Sequence, residues 1–243
     1  MEENRERSTG RKERLLKFRE GMIASLPISI GYLPVAVTFG LLAKSTGLSL
    51  LETFLFSALV FAGASQFMAL HLLQGGADPA QIIVATFIMN FRHFLMSSHL
   101  SIILPLREES WLLPFLSFGI TDESFAYLST SPTFKGVDFI LGLEYSAYAS
   151  WVGGTVVGYL FGNILPPVVQ ASMGIALYAL FIALLIPEAK KSFSVAVTAI
   201  MGGIIHSFFT WLKILSPGWN IILAILIAAS IGAWIIGEEE ENP

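Results

Sequence analysis

The chain has 243 residues, of which 54% are hydrophobic and only 13% are charged. A soluble domain carries about 25% charged residues, so this composition is typical of an integral membrane protein with short loops. The absence of cysteine excludes disulfides, thiolate metal sites and cysteine nucleophiles. Half of the 14 basic residues lie in the first twenty positions, and an acidic run lies near the other end, so the net charge of −4 says little about partners.

The charge distribution predicts three regions along the chain. A basic cytoplasmic N-terminal segment covers 1–20, a single transmembrane domain covers 21–236, and an acidic C-terminal tail covers 237–243. The positive-inside rule places the basic segment in the cytoplasm. Because the apolar stretch that follows is long and more such stretches come after it, we interpret it as an uncleaved first span and not as a secretory signal.

Eight stretches are long and apolar enough to cross a bilayer, which takes about 20 helical residues. The predicted fold is therefore all-α, a polytopic membrane protein with 7–8 membrane-embedded helices, some of them broken. The fourth stretch has a polar centre, and counting it as a crossing places Lys190 and Lys191 on the cytoplasmic side. The stretches are 21–43, 52–73, 80–105, 111–130, 139–162, 167–187, 192–213 and 218–236.

Two pairs of segments resemble each other weakly within the chain. VATFIMNFRH is similar to AVTAIMGGIIH, which aligns His93 with His206, and a second pair aligns Gly40 with Gly158. An internal repeat is one interpretation, and shared membrane composition is the other.

The first and second stretches contain residues that disturb a regular helix. Tyr32-Leu33-Pro34 predicts a kink, because proline removes a backbone hydrogen bond. The second stretch contains FAGASQFMAL, with Gly63, Ala64, Ser65 and Gln66 at mid-membrane. Small residues let helices approach closely, so this segment is either a packing seam or a helix interrupted near Gly63, whose free backbone N–H groups can hold a carboxylate.

The third stretch carries polar side chains along one helical face. Thr86, Asn90, His93, Ser97 and Ser101 follow spacings of four, three, four and four residues. A charge at the centre of a spanning helix costs about 2.5–3.5 kcal/mol, so polar residues at this depth face a protein interior or a water-filled cavity. Interhelical hydrogen bonding is the alternative to a functional role for the serines, Thr86 and Asn90. Arg92 lies outside this stripe, on the same side as His99.

The fourth stretch contains GITDESFA, which places Asp122 beside Glu123. Two ionised carboxylates in an apolar stretch repel each other, so we expect one to pair with Arg92 while the other titrates. The alternative is a loop with both acids in water. Glu144, near the start of the fifth stretch, is expected at the membrane interface.

Four segments of the first half, in this order and at this spacing, resemble the AzlC family, the large permease subunits of bacterial branched-chain amino acid exporters. They are GYLPVAVTFG, AGASQF, MNFRHFLMS and FGITDESFA, over residues 21–126, and WVGGTVVG, beginning at Trp151, adds a looser match. The resemblance implies a permease domain in a bacterial or archaeal cytoplasmic membrane that exports valine, leucine, isoleucine and related amino acids. It also implies a small AzlD-like membrane subunit as partner.

A zwitterionic substrate needs an anion holder, a cation holder and an apolar pocket. Arg92 and the backbone of Gly63–Ser65 are the candidates for the carboxylate, because a guanidinium binds carboxylates with two parallel hydrogen bonds. Asp122 and Glu123, helped by Gln66 or Asn90, are the candidates for the ammonium group. His93 or Asp122 is predicted to carry a coupling proton, because histidine titrates near neutrality. Phe61, Phe67 and Met89 are candidates for the apolar pocket.

Other function classes are expected to fit less well. The chain contains no HExxH motif and no phosphate-binding loop, so neither a metal, a cofactor nor direct ATP hydrolysis is expected, and the protein is predicted not to be an enzyme. A noncatalytic scaffold or a channel subunit is one alternative. An intramembrane serine protease with Ser65 as nucleophile is another, but Gln66 replaces a glycine that its motif requires.

Overall fold

The computed structural model describes residues 2–104, 111–131, 136–213 and 217–241. Within these ranges the regular structure is helical, as predicted, with eleven α-helices and a short 3₁₀ helix at Gly162–Ile164. The α-helices are α1 (Glu2–Ala24), α2 (Leu26–Ser45), α3 (Leu50–Leu59), α4 (Gly63–Gln74), α5 (Pro79–Ile103), α6 (Leu113–Gly119), α7 (Asp122–Thr130), α8 (Val137–Phe161), α9 (Pro167–Lys191), α10 (Phe193–Leu212) and α11 (Pro217–Glu241).

Two of the predicted spans are each divided into two helices. The stretch 52–73 forms α3 and α4, which are separated at Val60–Ala62, and the stretch 111–130 forms α6 and α7, which are separated at Ile120–Thr121. The prediction of an all-α membrane protein with broken helices is therefore confirmed. Residue 105, the last of the third predicted span, and residues 242–243 of the acidic tail lie outside the described residues.

Three of the described helical segments are long and apolar enough to cross a membrane by length and composition alone. They are Leu26–Ser45, Phe193–Leu212 and Gly218–Ile235. The polar side chains in α5 and the breaks that shorten α3, α4, α6 and α7 set three of the other predicted spans apart from simple apolar helices.

The basic N-terminal segment belongs to a helix that packs on the protein. α1 runs through the predicted boundary at residue 20 as far as Ala24, and α2 begins at Leu26 with Pro27 in its first turn, where proline fits a helix best. Arg14 of α1 donates to both carboxylate oxygens of Asp138 at the start of α8, at 3.2 Å. α1 therefore lies along the first turns of α8.

The chain forms two compact units. The first comprises 1–66 and 90–174, and the second comprises 67–89 and 175–243. In the first unit α8 is central, because α1, α2, α3 and α6 all pack against it.

Glycines bring the backbones of α2 and α8 into direct contact. A Cβ on Gly40 would lie 2.0 Å from the carbonyl oxygen of Thr155, and one on Gly158 would lie 2.0 Å from that of Val37. On the same face, a Cβ on Gly154 would lie 2.8 Å from the Cβ of Ala36. Gly154, Gly158 and Gly162 follow the four-residue spacing that lets membrane helices approach closely.

The direction of α2 and α8 shows how the chain passes through the first unit. Contacts at Ala36, Val37 and Leu41 of α2 match contacts at successively later residues of α8, so the two helices run parallel. Three segments connect them: α3–α4, α5 and α6–α7. Parallel helices at the two ends require an odd number of crossings between them, and the crossing by the broken α6–α7 segment stays a prediction.

In the second unit α10 and α11 pack against each other in opposite directions. A Cβ on Gly232 would lie 2.4 Å from Thr198 Oγ1, whereas Gly202, one turn later in α10, lies near Ala228, one turn earlier in α11. An apolar cluster completes the unit, and its buried members are Met68, Leu72, Ala85 and Ile222.

Candidate functional site

The break between α3 and α4 depends on a glycine. A Cβ on Gly63, the first residue of α4, would lie 2.6 Å from the indole ring of Trp151, so only glycine fits at this position. The backbone N–H groups of Gly63, Ala64 and Ser65 stand in the first turn of α4, where no acceptor inside the helix is available. Ser65 is buried, and its hydroxyl donates to the carbonyl oxygen of Ala62 at 3.0 Å.

Gln66 stabilises this break with both ends of its amide. Its Nε2 donates to the carbonyl oxygen of Phe56 at 2.8 Å, and its Oε1 accepts from the indole Nε1 of Trp151 at 2.9 Å. The side chain is fully buried. Because both polar atoms are engaged, Gln66 joins the last turns of α3 to the start of α4 and to α8, and any influence on a ligand comes through this positioning.

The break between α6 and α7 places two acids at a helix N-terminus. Thr121 caps α7, since its side chain accepts from the backbone N–H of Ser124 and the side chain of Ser124 accepts from the backbone N–H of Thr121. Asp122 and Glu123 lie in the first turn of α7. The positive end of the helix dipole stabilises carboxylates at this position. They do not lie in an open loop, which was the alternative to pairing.

Arg92 and Asp122 form the predicted ion pair. Arg92 Nη1 lies 2.5 Å from Asp122 Oδ2, and the two side chains are 31% and 27% exposed. The Nε of Arg92 is buried and has no hydrogen-bond partner among the described residues. An ion pair that faces lipid is costly, so its exposed part is expected to face water or a protein-lined cavity. A ligand can therefore reach the exposed part of the Arg92 side chain, whereas its Nε is buried.

Tyr32 connects the two breaks. Its hydroxyl donates to the carboxylate of Glu123, the neighbour of Asp122 in α7. Its ring packs edge-on against Phe61 in the α3–α4 break, with centroids 6.2 Å apart, and against Trp151, with centroids 5.5 Å apart. Tyr32 is 5% exposed. A single buried side chain of α2 therefore contacts residues at both helix breaks.

The polar stripe of α5 is only partly engaged. His93 Nδ1 lies 3.3 Å from the carbonyl oxygen of Asn90 in the preceding turn. The Oδ1 of Asn90 is buried without a partner in the described part of the chain. Asn90 and Arg92 are two residues apart, which turns them about 200° from each other around the helix, so they project from different sides of α5.

All the predicted polar site residues belong to the first unit: Gly63, Ala64, Ser65, Gln66, Asn90, Arg92, His93, Asp122 and Glu123. The structure joins Arg92 to Asp122 directly, and it joins Glu123 to the surroundings of Gly63 through Tyr32 and Trp151. Of the predicted apolar residues, Phe61 lies beside Tyr32, whereas Phe67 and Met89 belong to the second unit.

Sequence reasoning missed two aromatic residues and the burial of one acid. The sequence assigns Tyr32 only to a kink, and no local pattern predicts its contact with Glu123. Trp151 had no predicted role. Glu144 is buried inside the protein, which was not predicted, because it is only 4% exposed and α6 packs over it.

The fold and this site define an all-α polytopic membrane protein with two broken helices joined through buried aromatic residues. Residues 27–165, more than half of the chain, match the AzlC protein family. An uncharacterized membrane protein of Archaeoglobus fulgidus is 40% identical over 220 residues, which cover 89% of this chain and 94% of that protein. This chain belongs to the AzlC family, as its motifs indicated.

Two further relatives carry more specific names. The inner membrane protein YgaZ of Escherichia coli is 35% identical over 193 residues, which cover 76% of this chain and 79% of that protein. The branched-chain amino acid transport protein AzlC of Bacillus subtilis is 27% identical over 177 residues, which cover 72% of this chain and 68% of that protein. No solved structure matches this chain.

Proposed function

We propose that this protein is a secondary transporter that exports valine, leucine, isoleucine and related amino acids across a bacterial or archaeal cytoplasmic membrane. Membership of the AzlC family supports this function, because the Bacillus subtilis relative is named a branched-chain amino acid transport protein. The Escherichia coli relative is named an inner membrane protein, which supports the location. The basic residues of α1 favour a cytoplasmic N-terminus.

The observation that carries the proposal is the Arg92–Asp122 pair at the start of a broken helix. Both side chains are partly exposed, and Arg92 Nε has no partner among the described residues. A purely structural ion pair in a membrane interior is expected to satisfy its donors fully, because each unsatisfied polar group at this depth is costly. An ion pair that is partly exposed and not fully hydrogen-bonded is suited to binding a charged substrate.

An amino acid brings a carboxylate and an ammonium group, and the two members of the pair match them. The guanidinium of Arg92 would bind the carboxylate with two N–H donors. Asp122 would bind the ammonium group, and Glu123, held by Tyr32, would add a second negative charge at the same helix end. The first-turn N–H groups of Gly63, Ala64 and Ser65 are a further carboxylate holder that broken helices provide in transporters.

Aromatic residues beside this site supply apolar surface for the side chain of the substrate. Phe61 packs against Tyr32 and, edge-on, against Tyr148 at 5.3 Å. Gln66 and Trp151 hold the α3–α4 break in place behind them. Aliphatic side chains gain about 25 cal/mol for each Å² of surface that they remove from water, so this surface favours leucine, isoleucine and valine over polar amino acids.

Coupling to a proton through His93 or Asp122 is part of the proposal. Asp122 is bound to Arg92, and His93 lies one residue after Arg92 on α5. A small AzlD-like membrane subunit is the proposed partner. The permease domain would then cover 21–236, between the basic N-terminal segment and the acidic tail.

A flux assay tests this function. The full chain, with and without a co-expressed small membrane subunit, is placed in liposomes with labelled leucine, and flux is followed while pH is varied on each side. A transporter gives saturable flux that unlabelled valine and isoleucine inhibit. Non-saturating flux would indicate a channel instead, and no flux with the subunit present would indicate a scaffold.

A further inference from the structure

Glu144 is a buried acid that the substrate site does not use. It lies in the second turn of α8 and is only 4% exposed. Its carboxylate is packed against the end of α6, because a Cβ on Gly119 would lie 2.4 Å from Glu144 Oε2. Its other oxygen, Oε1, is buried and has no hydrogen-bond partner among the described residues. The glycine at 119 leaves the space that this side chain occupies.

The charged groups on the neighbouring helices are either exposed or bound elsewhere. The exposed ones are Arg11, Lys12, Arg19 and Glu20 of α1 and Glu52 of α3. Glu144 takes part in no ion pair within the described residues, and α6 has no ionisable side chain in its sequence, LPFLSFG. On α8 itself, Tyr145 is exposed, and Tyr148 donates to the carbonyl oxygen of Ala58. The other groups are Arg14, bound to Asp138; Lys17, bound to Glu13; Lys44, over the ring of Tyr159; Asp122, bound to Arg92; Glu123, bound by Tyr32; His93, beside Asn90; and His99, against Phe125.

Without a counter-ion, a carboxylate in this position carries a large cost as an anion and a small one as a neutral acid. The end of α6 adds to this cost, because helix C-termini carry a partial negative charge that repels an anion. Binding of a proton to the carboxylate of Glu144 therefore removes most of this cost.

A small cavity gives Glu144 a route for that proton. The cavity has a volume of about 30 Å³, and its lining includes Glu144, Ser97, Ser101 and Ser117. A buried site needs about 10–15 Å³ of such volume and two or more polar partners to hold a water molecule, so there is room for about two. Ser97 and Ser101 are the last members of the polar stripe of α5, which begins at Thr86 and passes through His93.

We propose that Glu144 is a further proton-binding residue of this protein, reached along the polar face of α5 through the serine-lined cavity. In one step a hydronium ion in the cavity transfers a proton to Glu144 Oε1, leaving water and a neutral acid. In the reverse step water takes the proton back, and no electrons are exchanged. This inference rests on the proposed transport function only for what the proton drives, and it adds Glu144 to His93 and Asp122 as a residue that couples transport to protons.

A sodium ion is the other cation that a carboxylate and hydroxyls can bind. The lining is otherwise apolar, with Leu100, Leu116, Ile120 and Ile140 among it, and a hard cation needs about six oxygen ligands. A proton needs only one carboxyl oxygen and a water molecule. The small volume and the few polar groups favour the proton.

Infrared spectroscopy tests proton binding without any transport assay. The full chain in lipid is titrated with acid and base, and the carbonyl band of a protonated carboxyl is followed. Near neutral pH, where exposed carboxyls are ionised, the wild type is expected to show this band and to lose it at high pH, and Glu144→Gln is expected to show a weaker band. Glu52→Gln is the matched control, since Glu52 is an exposed helix-capping residue, and it should retain the band. An unchanged band in Glu144→Gln overturns the proposal.

Flux measurements then test coupling. In liposomes, Glu144→Gln is expected to lose pH-driven accumulation of labelled leucine at least tenfold while equal exchange of leucine across the membrane continues. Retained pH-driven accumulation, or a sodium dependence that this substitution removes, contradicts the proton assignment. If the wild type transports no amino acid, the proposed function fails, and the infrared titration still decides whether Glu144 binds the proton.

Discussion

Arg92 Nη1 lies 2.5 Å from Asp122 Oδ2, and this contact joins the middle of α5 to the first residue of α7. The next residue, Glu123, accepts from Tyr32, whose ring reaches the α3–α4 break. The interrupted helices α3–α4 and α6–α7 are thus linked through Tyr32, and Arg92 links α5 to α7. The Arg92–Asp122 and Tyr32–Glu123 contacts can be tested separately.

The first prediction concerns the two charges of the substrate. If Arg92 binds the carboxylate and Asp122 binds the ammonium group, leucine should compete for labelled leucine flux much better than analogues that lack either charge. Charge-assisted hydrogen bonds contribute about 1.5–3 kcal/mol, so the amine and the carboxylic acid derived from leucine should each bind about 10- to 100-fold more weakly. Competition assays in liposomes measure this ratio. Equal inhibition by the carboxylic acid without its amino group would contradict the role of Asp122.

A second prediction concerns the hydroxyl of Tyr32. Tyr32→Phe removes the donor to Glu123 but keeps the ring contacts with Phe61 and Trp151. The variant should fold, and flux should fall about tenfold, because Glu123 is no longer held beside Asp122. Tyr148→Phe is the matched control, since Tyr148 donates only to the backbone carbonyl of Ala58. A drop in flux of equal size in both variants would show that Tyr32 has no special role.

The glycine seam between α2 and α8 gives a prediction about stability. Gly153 and Gly154 are neighbours, but a Cβ on Gly153 meets nothing within 4 Å, whereas one on Gly154 would lie 2.8 Å from Ala36 Cβ. Gly154→Leu should therefore separate the helices and lower the thermal stability of the detergent-solubilised protein strongly, while Gly153→Leu should change it little. Similar unfolding temperatures for the two variants would contradict the close packing of α2 on α8.

The hydrogen bonds of Gln66 give a prediction about thermal stability. Gln66→Leu leaves both the Phe56 carbonyl and the Trp151 indole N–H without this partner, whereas Trp151→Phe removes only the indole bond. Each buried polar group left unsatisfied costs about 1–3 kcal/mol. Trp151→Phe also removes ring volume beside Gly63, so the Gln66 variants are the cleaner test of the hydrogen bonds. Gln66→Leu should lower thermal stability, and Gln66→Glu should do so as well, because a carboxylate cannot donate to Phe56. Unchanged thermal stability in both Gln66 variants would show that Gln66 does not stabilise the break between α3 and α4.

The sequence predicts the parts of this site that depend on local chemistry. An arginine and two adjacent acids in apolar stretches must find partners, so a pair between Arg92 and one of these acids follows from the cost of an unpaired charge. The broken helices follow from glycine and polar residues in short segments. These inferences need only the residues that are close in the sequence.

The parts that the sequence does not predict depend on how distant segments pack. Tyr32 and Glu123 are 91 residues apart, and no local pattern pairs them. The roles of Trp151 and Gln66 depend on the register of α8 against the α3–α4 break. Glu144 is near the beginning of a predicted span, where an interface is the natural expectation, but α6 packs across it and buries it.

The most direct test of the central claim compares two aspartates in the same flux assay. Asp122 pairs with Arg92 at the candidate site, and Asp138 pairs with Arg14 where α1 meets α8. Asp122→Asn should reduce leucine flux in liposomes at least tenfold with normal membrane insertion, because its amide cannot hold an ammonium group by charge. Asp138→Asn should retain most of the flux. Normal flux in Asp122→Asn would contradict the claim that the Arg92–Asp122 pair binds the substrate.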